Sequence, residues 1–284
     1  MTPLPFRSCD ETGWLAAERD LREHGYAAVK SVIAPAVVAS ARRSVEAWHE
    51  RTRDRTTRDM PNMGGGPVVW NLQNKDRLFL DILFTRPELE RLLVHVLNDP
   101  WYRSIPENRP NYILRAFIAR AGLAALPFHI DSFIPYEGEH VLSVQSVFVL
   151  EPMRAGAGAT LVVPGSHRSA RWAEQVPREQ AVAIEADAGD LLLWDSRLWH
   201  AAEDNPEGST RWLLIATFTR WWIKQAFDVT EALPDEIYEH LTDSQRAVLG
   251  FCSRPWRDES EGIRTQHGYE VLAAGRAGKP KALP

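Results

Sequence analysis

The stretch "LPFHIDSFIPYEGEH", residues 126–140, sets a histidine and an aspartate two positions apart where a strand gives way to a loop. Side chains alternate along a strand, so His129 and Asp131 share one face while Phe128 and Ile130 share the other. An imidazole beside a carboxylate, partly withdrawn from water, is costly without a partner. A metal ion is the candidate partner, and it requires a β scaffold to hold the pair.

The surrounding sequence supplies that scaffold. "YILRAFIARA" (112–121), "HVLSVQSVFVLEPM" (140–153), "ATLVVPGSH" (159–167), "AVAIEADAGDLLLWDS" (181–196) and "RWLLIATFTRWW" (211–222) are short β-rich runs divided by Gly and Pro clusters. Their spacing predicts an antiparallel sandwich or barrel. Before them, a helix is expected over 12–23, a strand over 26–32, and a helix from Pro35 to about Thr52 with Val37, Val38, Ala41, Val45 and Trp48 at helical spacing. "PVVWNLQNKD" (67–76) reads as a short strand and turn, and Pro87 to Leu97 as an amphipathic helix with Glu in its first turn. The charged and glycine-rich residues 51–66 read as an exposed connection. After Ala226, "PDEIYEHL" (234–241) and "TDSQRAVLGF" (242–251) turn helical, with Thr242 and Asp243 as capping residues. The tail "AAGRAGKPKALP" (273–284) reads as frayed. One domain over 1–284 is expected: a mixed helical part to about 110, a β core over about 111–225, and helices with a tail over about 226–284.

Bulk properties narrow the function. The 284 residues suffice for a large core, and 44% hydrophobic with 25% charged residues is ordinary for a globular chain. A net charge of -5 without a basic run argues against nucleic acid or an anionic membrane as the main partner. No stretch is apolar enough to span a bilayer, and the N-terminus lacks a signal-peptide pattern. The two cysteines, Cys9 and Cys252, make neither a disulfide framework nor a thiolate zinc site, and they fit a reducing cytoplasm.

The third ligand is sought in "GDLLLWDSRLWHAAEDN" (189–205), where His200 follows a strongly apolar strand and is expected near the start of the last β-hairpin. Two histidines and a carboxylate make a facial triad, which leaves open positions on an octahedral ferrous ion for a cosubstrate and oxygen. Arg211, eleven residues on, opens the returning strand, and its planar guanidinium suits a carboxylate held by two parallel hydrogen bonds. Each feature alone has a bland reading, as a structural histidine or a surface ion pair. Their order and spacing carry the assignment.

In these motifs the chain resembles the phytanoyl-CoA dioxygenase family of Fe(II)- and 2-oxoglutarate-dependent oxygenases. The resemblance rests on "HGYAAVKSVI" (24–33), "VWNLQNKD" (69–76), "LPFHID", "LVVPGSH", "GDLLLWDSRLWH", the arginine, and "LTDSQRAVLGF" (241–251). It implies a mainly β fold with flanking helices around a double-stranded β-helix, the cupin-like jelly roll. It puts His129, Asp131 and His200 on Fe(II) and Arg211 on the distal carboxylate of 2-oxoglutarate, with O2 as the second cosubstrate. Many relatives carry a serine where this chain has Ala202, and a tryptophan where it has Val147. Gln145, on the same strand face as Val147, is then expected to face the cosubstrate. His167 of "PGSH" is read as part of a structural turn.

The expected activity is hydroxylation of a small or mid-sized metabolite with release of succinate and CO2 and a place in biosynthesis; no basic cluster suits coenzyme A. Desaturation, epoxidation or cyclisation would use the same residues. A non-catalytic β-sandwich binding module and a zinc hydrolase are the competing classes. Related halogenases have Gly or Ala in place of Asp131, so its presence implies oxygenation. On the substrate side, Arg115 is a candidate for an anionic group, and residues 132–139, with Phe133 and Tyr136, are expected to form a mobile aromatic lid.

Overall fold

A computed structural model describes residues 2–52, 66–122, 124–174, 176, 178–206, 210–256 and 258–260, with 268, 269 and 272. The connection over 53–65 and the tail from 273 lie outside the described residues. Helix α1 (Glu11–His24) begins where the Asp10 carboxylate accepts the Gly13 amide and ends at Gly25, whose left-handed φ of 84° closes the last turn. Strand β1 (Tyr26–Val29) is shorter than expected, because Ser31 turns the chain out with φ 54°. Helix α2 spans Pro35–Thr52, and β2 is only Val68–Val69. Helix α3 (Arg77–Leu83), unforeseen in the sequence reading, starts from Asp76, whose side chain accepts the Leu78 amide. Helix α4 (Pro87–Leu97) matches its expected bounds.

The β core follows as β3 (Ile113–Ala121), β4 (Leu126–His129), β5 (Ser143–Val149), β6 (Thr160–Val162), β7 (Val182–Ile184), β8 (Leu191–Asp195), β9 (His200–Ala202) and β10 (Trp212–Thr219). Two antiparallel sheets result, six-stranded in the order β1-β8-β5-β10-β3-β2 and four-stranded in the order β4-β9-β6-β7. This is the jelly-roll core with flanking helices. Short helices α5 (Val229–Ala232), α6 (Asp235–Tyr238) and α7 (Asp243–Val248) close the described chain, the last with a full capping box between Thr242 and Gln245.

One parity rule organises the large sheet. On β10, Trp212, Leu214, Ala216 and Phe218 join the cluster made with the N-terminal helices, while Leu213 joins the cluster between the sheets. On β8, Leu191 and Leu193 face the helices, whereas Leu192 and Trp194 face inward. Both faces are covered, so these strands are apolar runs without alternation.

The topology corrects one expectation. β9 and β10 do not form a hairpin: β9 pairs with β4 and β6, and β10 pairs with β3 and β5. The segment between them crosses from one sheet to the other. His200 and Arg211 therefore approach one interior space from opposite walls.

Candidate metal centre

β4 and β9 are neighbours in the small sheet, and His129 pairs directly with His200. Their rings lie 4.2 Å apart between centroids. In each case Nδ1 sits against the carbonyl two residues upstream, at 2.9 Å from Pro127 for His129 and 3.0 Å from Leu198 for His200. A carbonyl only accepts, so Nδ1 carries the proton and the Nε2 lone pair is left free. Burial lowers the His200 pKa, with the Asp131 carboxylate opposing, which favours the neutral imidazole a metal requires.

Asp131 lies just past the end of β4. Its amide and that of Ser132 both donate to the Ser196 carbonyl, each at 2.8 Å, which pins the loop to the β8–β9 turn. The indole N–H of Trp194 donates to Oδ2 at 3.2 Å and orients the carboxylate. That oxygen is 3.4 Å from Nε2 of His200, and Oδ1 is 3.8 Å from Nε2 of His129. Ligand atoms of all three residues fall within 4.8 Å of one another. Nitrogen and oxygen donors with converging lone pairs, open to a cavity on one side, fit a divalent iron ion.

The "PGSH" turn sets β9 in place. The Ser166 hydroxyl accepts the Trp199 amide at 2.8 Å, and the Val163 amide donates to the Trp199 carbonyl at 2.9 Å. His167 instead faces the Arg22 carbonyl, outside the centre.

The cavity encloses about 800 Å³ between the sheets, and three arginines and one carboxylate line it: Arg115, Arg120, Arg211 and Asp131. Arg211 immediately precedes β10 with a left-handed φ of 45° and is 3% exposed. Its Nη1 donates to the Gly158 carbonyl and lies 3.5 Å from the Met153 sulfur, while Nε has no partner among the described residues. Burial, aided by repulsion from Arg120, pushes its pKa down to about 10. The guanidinium fits only because residue 122 is glycine: a Cβ there would stand 1.8 Å from Nη2.

Ala202 lines the cavity without a hydroxyl, but its cross-strand neighbour Thr160 has one. The Thr160 hydroxyl lies 3.8 Å from the same Met153 sulfur that Arg211 approaches, so the two side chains converge. Gln145 lines the cavity and accepts the Thr217 hydroxyl at 2.7 Å. Val147 is fully buried between the sheets.

Two substrate-side expectations have different outcomes. Phe133 stacks over the Arg115 guanidinium at 4.4 Å. Tyr136 does not reach the cavity: its hydroxyl accepts the Leu142 amide at 3.0 Å and its ring lies 4.2 Å from the Arg197 guanidinium. Arg197 in turn donates to the Gly138 carbonyl at 2.7 Å and pairs with buried Asp195 at 2.7 Å. The loop over 132–139 is thus tied at both ends, and its large apolar residues Phe133 and Ile134 are 65% and 59% exposed. Thr160, Trp194, Arg120, Trp70 and Phe227 escaped the sequence reading. Only Trp194, two residues inside an apolar strand that ends near His200, left a signal there.

This fold and centre are those of the non-haem iron, 2-oxoglutarate-dependent oxygenases. A sequence model of the phytanoyl-CoA dioxygenase (PhyH) family matches residues 21–211, and the chain belongs to that family. It is 28% identical over 245 residues to dioxygenase af480 of Aspergillus fumigatus, covering 82% of this chain and 75% of the relative. To the iron/alpha-ketoglutarate-dependent dioxygenase ausU of Aspergillus calidoustus it is 26% identical over 297 residues, covering 96% and 94%. Among solved structures, the carbocyclase SnoK from nogalamycin biosynthesis shares the fold with a TM-score of 0.56 at 16% identity, covering 75% of this chain and 88% of that one. The protein is a 2-oxoglutarate-dependent non-haem iron dioxygenase that uses Fe(II), 2-oxoglutarate and O2. No helix among the described residues is long and apolar enough to cross a membrane.

Proposed function

We propose that the protein hydroxylates a small or mid-sized metabolite, with His129, Asp131 and His200 holding the ferrous ion and Arg211 seating the distal carboxylate of 2-oxoglutarate. The observation that carries this reading is the cavity itself. Three free ligand atoms stand at one place on its wall, and a buried, incompletely partnered guanidinium stands at another.

The iron supplies the oxidising chemistry, in which one atom of O2 enters succinate and the other the product, with loss of CO2 from 2-oxoglutarate. The protein's own groups hold and orient. The carbonyls of Pro127 and Leu198 keep both Nδ1 protons in place, so both Nε2 atoms remain ligands. Trp194 fixes the Asp131 carboxylate. Arg211, beside the Thr160 hydroxyl, offers a fork to the distal carboxylate, with Arg120 adding positive charge nearby. Gln145, held by Thr217, faces the cosubstrate from the large sheet.

The test is turnover under oxygen-18 gas in chloride-rich buffer with a metabolite extract. A product heavier by one labelled oxygen, with stoichiometric succinate, is expected. His200→Ala should abolish both. A halogenated product would remove the role given to Asp131, and a product lighter by two hydrogens would replace hydroxylation with desaturation.

A further inference from the structure

We infer that the substrate is an organic acid with an apolar body, and that Arg115 is the residue that recognises its carboxylate. This rests on the reading of His129, Asp131 and His200 as the iron end of the cavity.

The inference begins with a defect in the β ladder. On β10, Thr217 pairs with Ala116, but the next residue, Phe218, pairs with Leu114. Arg115 is the extra residue of a β-bulge. A bulge breaks strict alternation and re-aims a side chain. Alternation continued from Ala121, Ala119 and Phe117 would put Arg115 on the helix side; instead it lines the cavity together with its neighbour Ala116, and Leu114 takes the helix side.

The distortion is braced from outside. The Ala226 amide donates to the Arg115 carbonyl at 3.0 Å. The Gln225 side-chain amide donates to the Leu114 carbonyl at 2.7 Å and to the Leu249 carbonyl at 3.2 Å. Part of the C-terminal segment is therefore committed to holding a cation inside an apolar space.

That cation forms no ion pair among the described residues. Its Nε is buried without a hydrogen-bond partner among the described residues. Asp131 is the one carboxylate among the described residues lining the cavity, and it belongs to the ligand cluster. Burial lowers the Arg115 pKa, so the charged form is held at a cost that a bound anion would relieve. What covers the guanidinium is the ring of Phe133, itself 65% exposed and therefore easily displaced.

Arg115 is not a second hand on the cosubstrate. Arg120 pairs with Leu213, two residues after Arg211, whereas the bulge lies beside Thr217. Four strand residues separate those levels, about 14 Å along the sheet. Arg115 thus lies at the level of Thr217, away from the Arg211 end where the distal carboxylate is seated. A ferrous ion and a 2-oxoglutarate dianion cancel in charge, so the cavity's excess of arginines persists once both are bound.

The chemistry of the anion follows from its surroundings. One planar guanidinium matches a planar carboxylate through two parallel hydrogen bonds. A phosphate dianion would be better served by several cationic donors, and Arg115 is accompanied here by apolar Ala116, Ile118 and Phe227 and by no second cation among the described residues. The body is set by the walls near this end, where Trp70 and Phe227 stand 5.7 Å apart as a tilted aromatic pair. A volume of about 800 Å³ accommodates such an acid beside the cosubstrate.

The experiment uses the full chain loaded with redox-inert Zn(II) and saturated with 2-oxoglutarate, so that Arg211 is already occupied. It is titrated calorimetrically with a panel of naphthalene, biphenyl and decalin carboxylates, their methyl esters and the matching aryl phosphates. At least one acid should bind about tenfold or more tighter than its ester. Arg115→Gln should erase that preference, Arg115→Lys should retain part of it, and neither should change 2-oxoglutarate affinity by more than about twofold. If Arg115→Gln does not fold, the lysine variant and the acid-to-ester ratio of the unmodified protein decide. Equal affinity for every acid and ester, a preference untouched in Arg115→Gln, or tighter binding of phosphates would overturn the proposal. So would loss of 2-oxoglutarate affinity in Arg115→Gln, which would assign Arg115 to the cosubstrate and leave the metal reading standing. Failure of the unmodified protein to bind one metal ion or 2-oxoglutarate is a separate result and would remove the parent reading instead.

Discussion

His129 and His200 present the same device twice: a backbone carbonyl two residues upstream accepts the Nδ1–H and leaves Nε2 as the candidate ligand atom. Asp131 has its own orienting donor in Trp194. Groups that hold a ligand in place commonly matter about 10–100-fold to metal affinity. Trp194→Phe keeps the ring against His200 and removes only the N–H. Ferrous affinity, measured by anaerobic titration, should fall by about 10–100-fold. An unchanged affinity would make the indole contact incidental. Gly122→Ala tests Arg211 in the same way. The new Cβ meets the guanidinium tip and no backbone atom among its nearest neighbours, so the chain should fold while the arginine is displaced. The 2-oxoglutarate dissociation constant should rise about ten- to a hundredfold. Full affinity in this variant would show that the observed guanidinium position is not the one that binds.

The β8–β9 turn does more than connect two sheets. The Ser196 carbonyl receives the amides of Asp131 and Ser132, and Arg197 ties the far end of the same loop through Gly138. Residues 132–139 are therefore anchored at both ends, and any motion on substrate binding is expected between those anchors, in the segment that carries the exposed Phe133 and Ile134. Arg197→Met leaves Asp195 as a buried carboxylate without its partner. Breaking such a pair costs about 3–5 kcal/mol, to be read from urea denaturation. The loop should also lose hydrogen-exchange protection around Gly138. A stability loss below about 1 kcal/mol would mean that water replaces the arginine, as at a surface pair. Helix α3 is visible in retrospect from the Asp76 cap and the apolar residues Phe79, Leu80, Ile82 and Leu83. Proximity to the "PVVWNLQNKD" turn hid it, since one short segment carries both signals.

Across the molecule, the cavity sets stability against function. Arg211 is buried as a cation, and burial lowers its pKa to about 10, well below the ordinary guanidinium range. A cation whose folded pKa lies below its unfolded one destabilises the fold while charged. That penalty is fully present below about pH 10 and fades as the pH rises from there toward the ordinary guanidinium pKa. Arg211→Met should therefore melt at a higher temperature than the unmodified chain at pH 7.5, both loaded with Zn(II) and without cosubstrate. Added 2-oxoglutarate should reverse the order. At a hundred times its dissociation constant, a ligand stabilises by about 2.7 kcal/mol, a gain the methionine variant should lack. If the variant gains equally, the distal carboxylate is held elsewhere.

Much of this was legible in the linear chain. The β runs, α1, α2 and α4 follow from apolar spacing and caps, and His-x-Asp, the distal histidine and Arg211 follow from residue chemistry at a recognisable spacing. These signals are local: each depends on residues within one strand, helix or turn. What stayed hidden depends on contacts between distant segments. The passage of β9 and β10 into opposite sheets is invisible because strands covered on both faces read as uniform apolar runs. Thr160 gains its place beside Ala202 from cross-strand pairing, and Tyr136 leaves the cavity because Arg197 holds it. The turn of Arg115 inward comes from a bulge that no pattern along β3 announces, since a ladder's register is a relation between two strands and is written in neither alone.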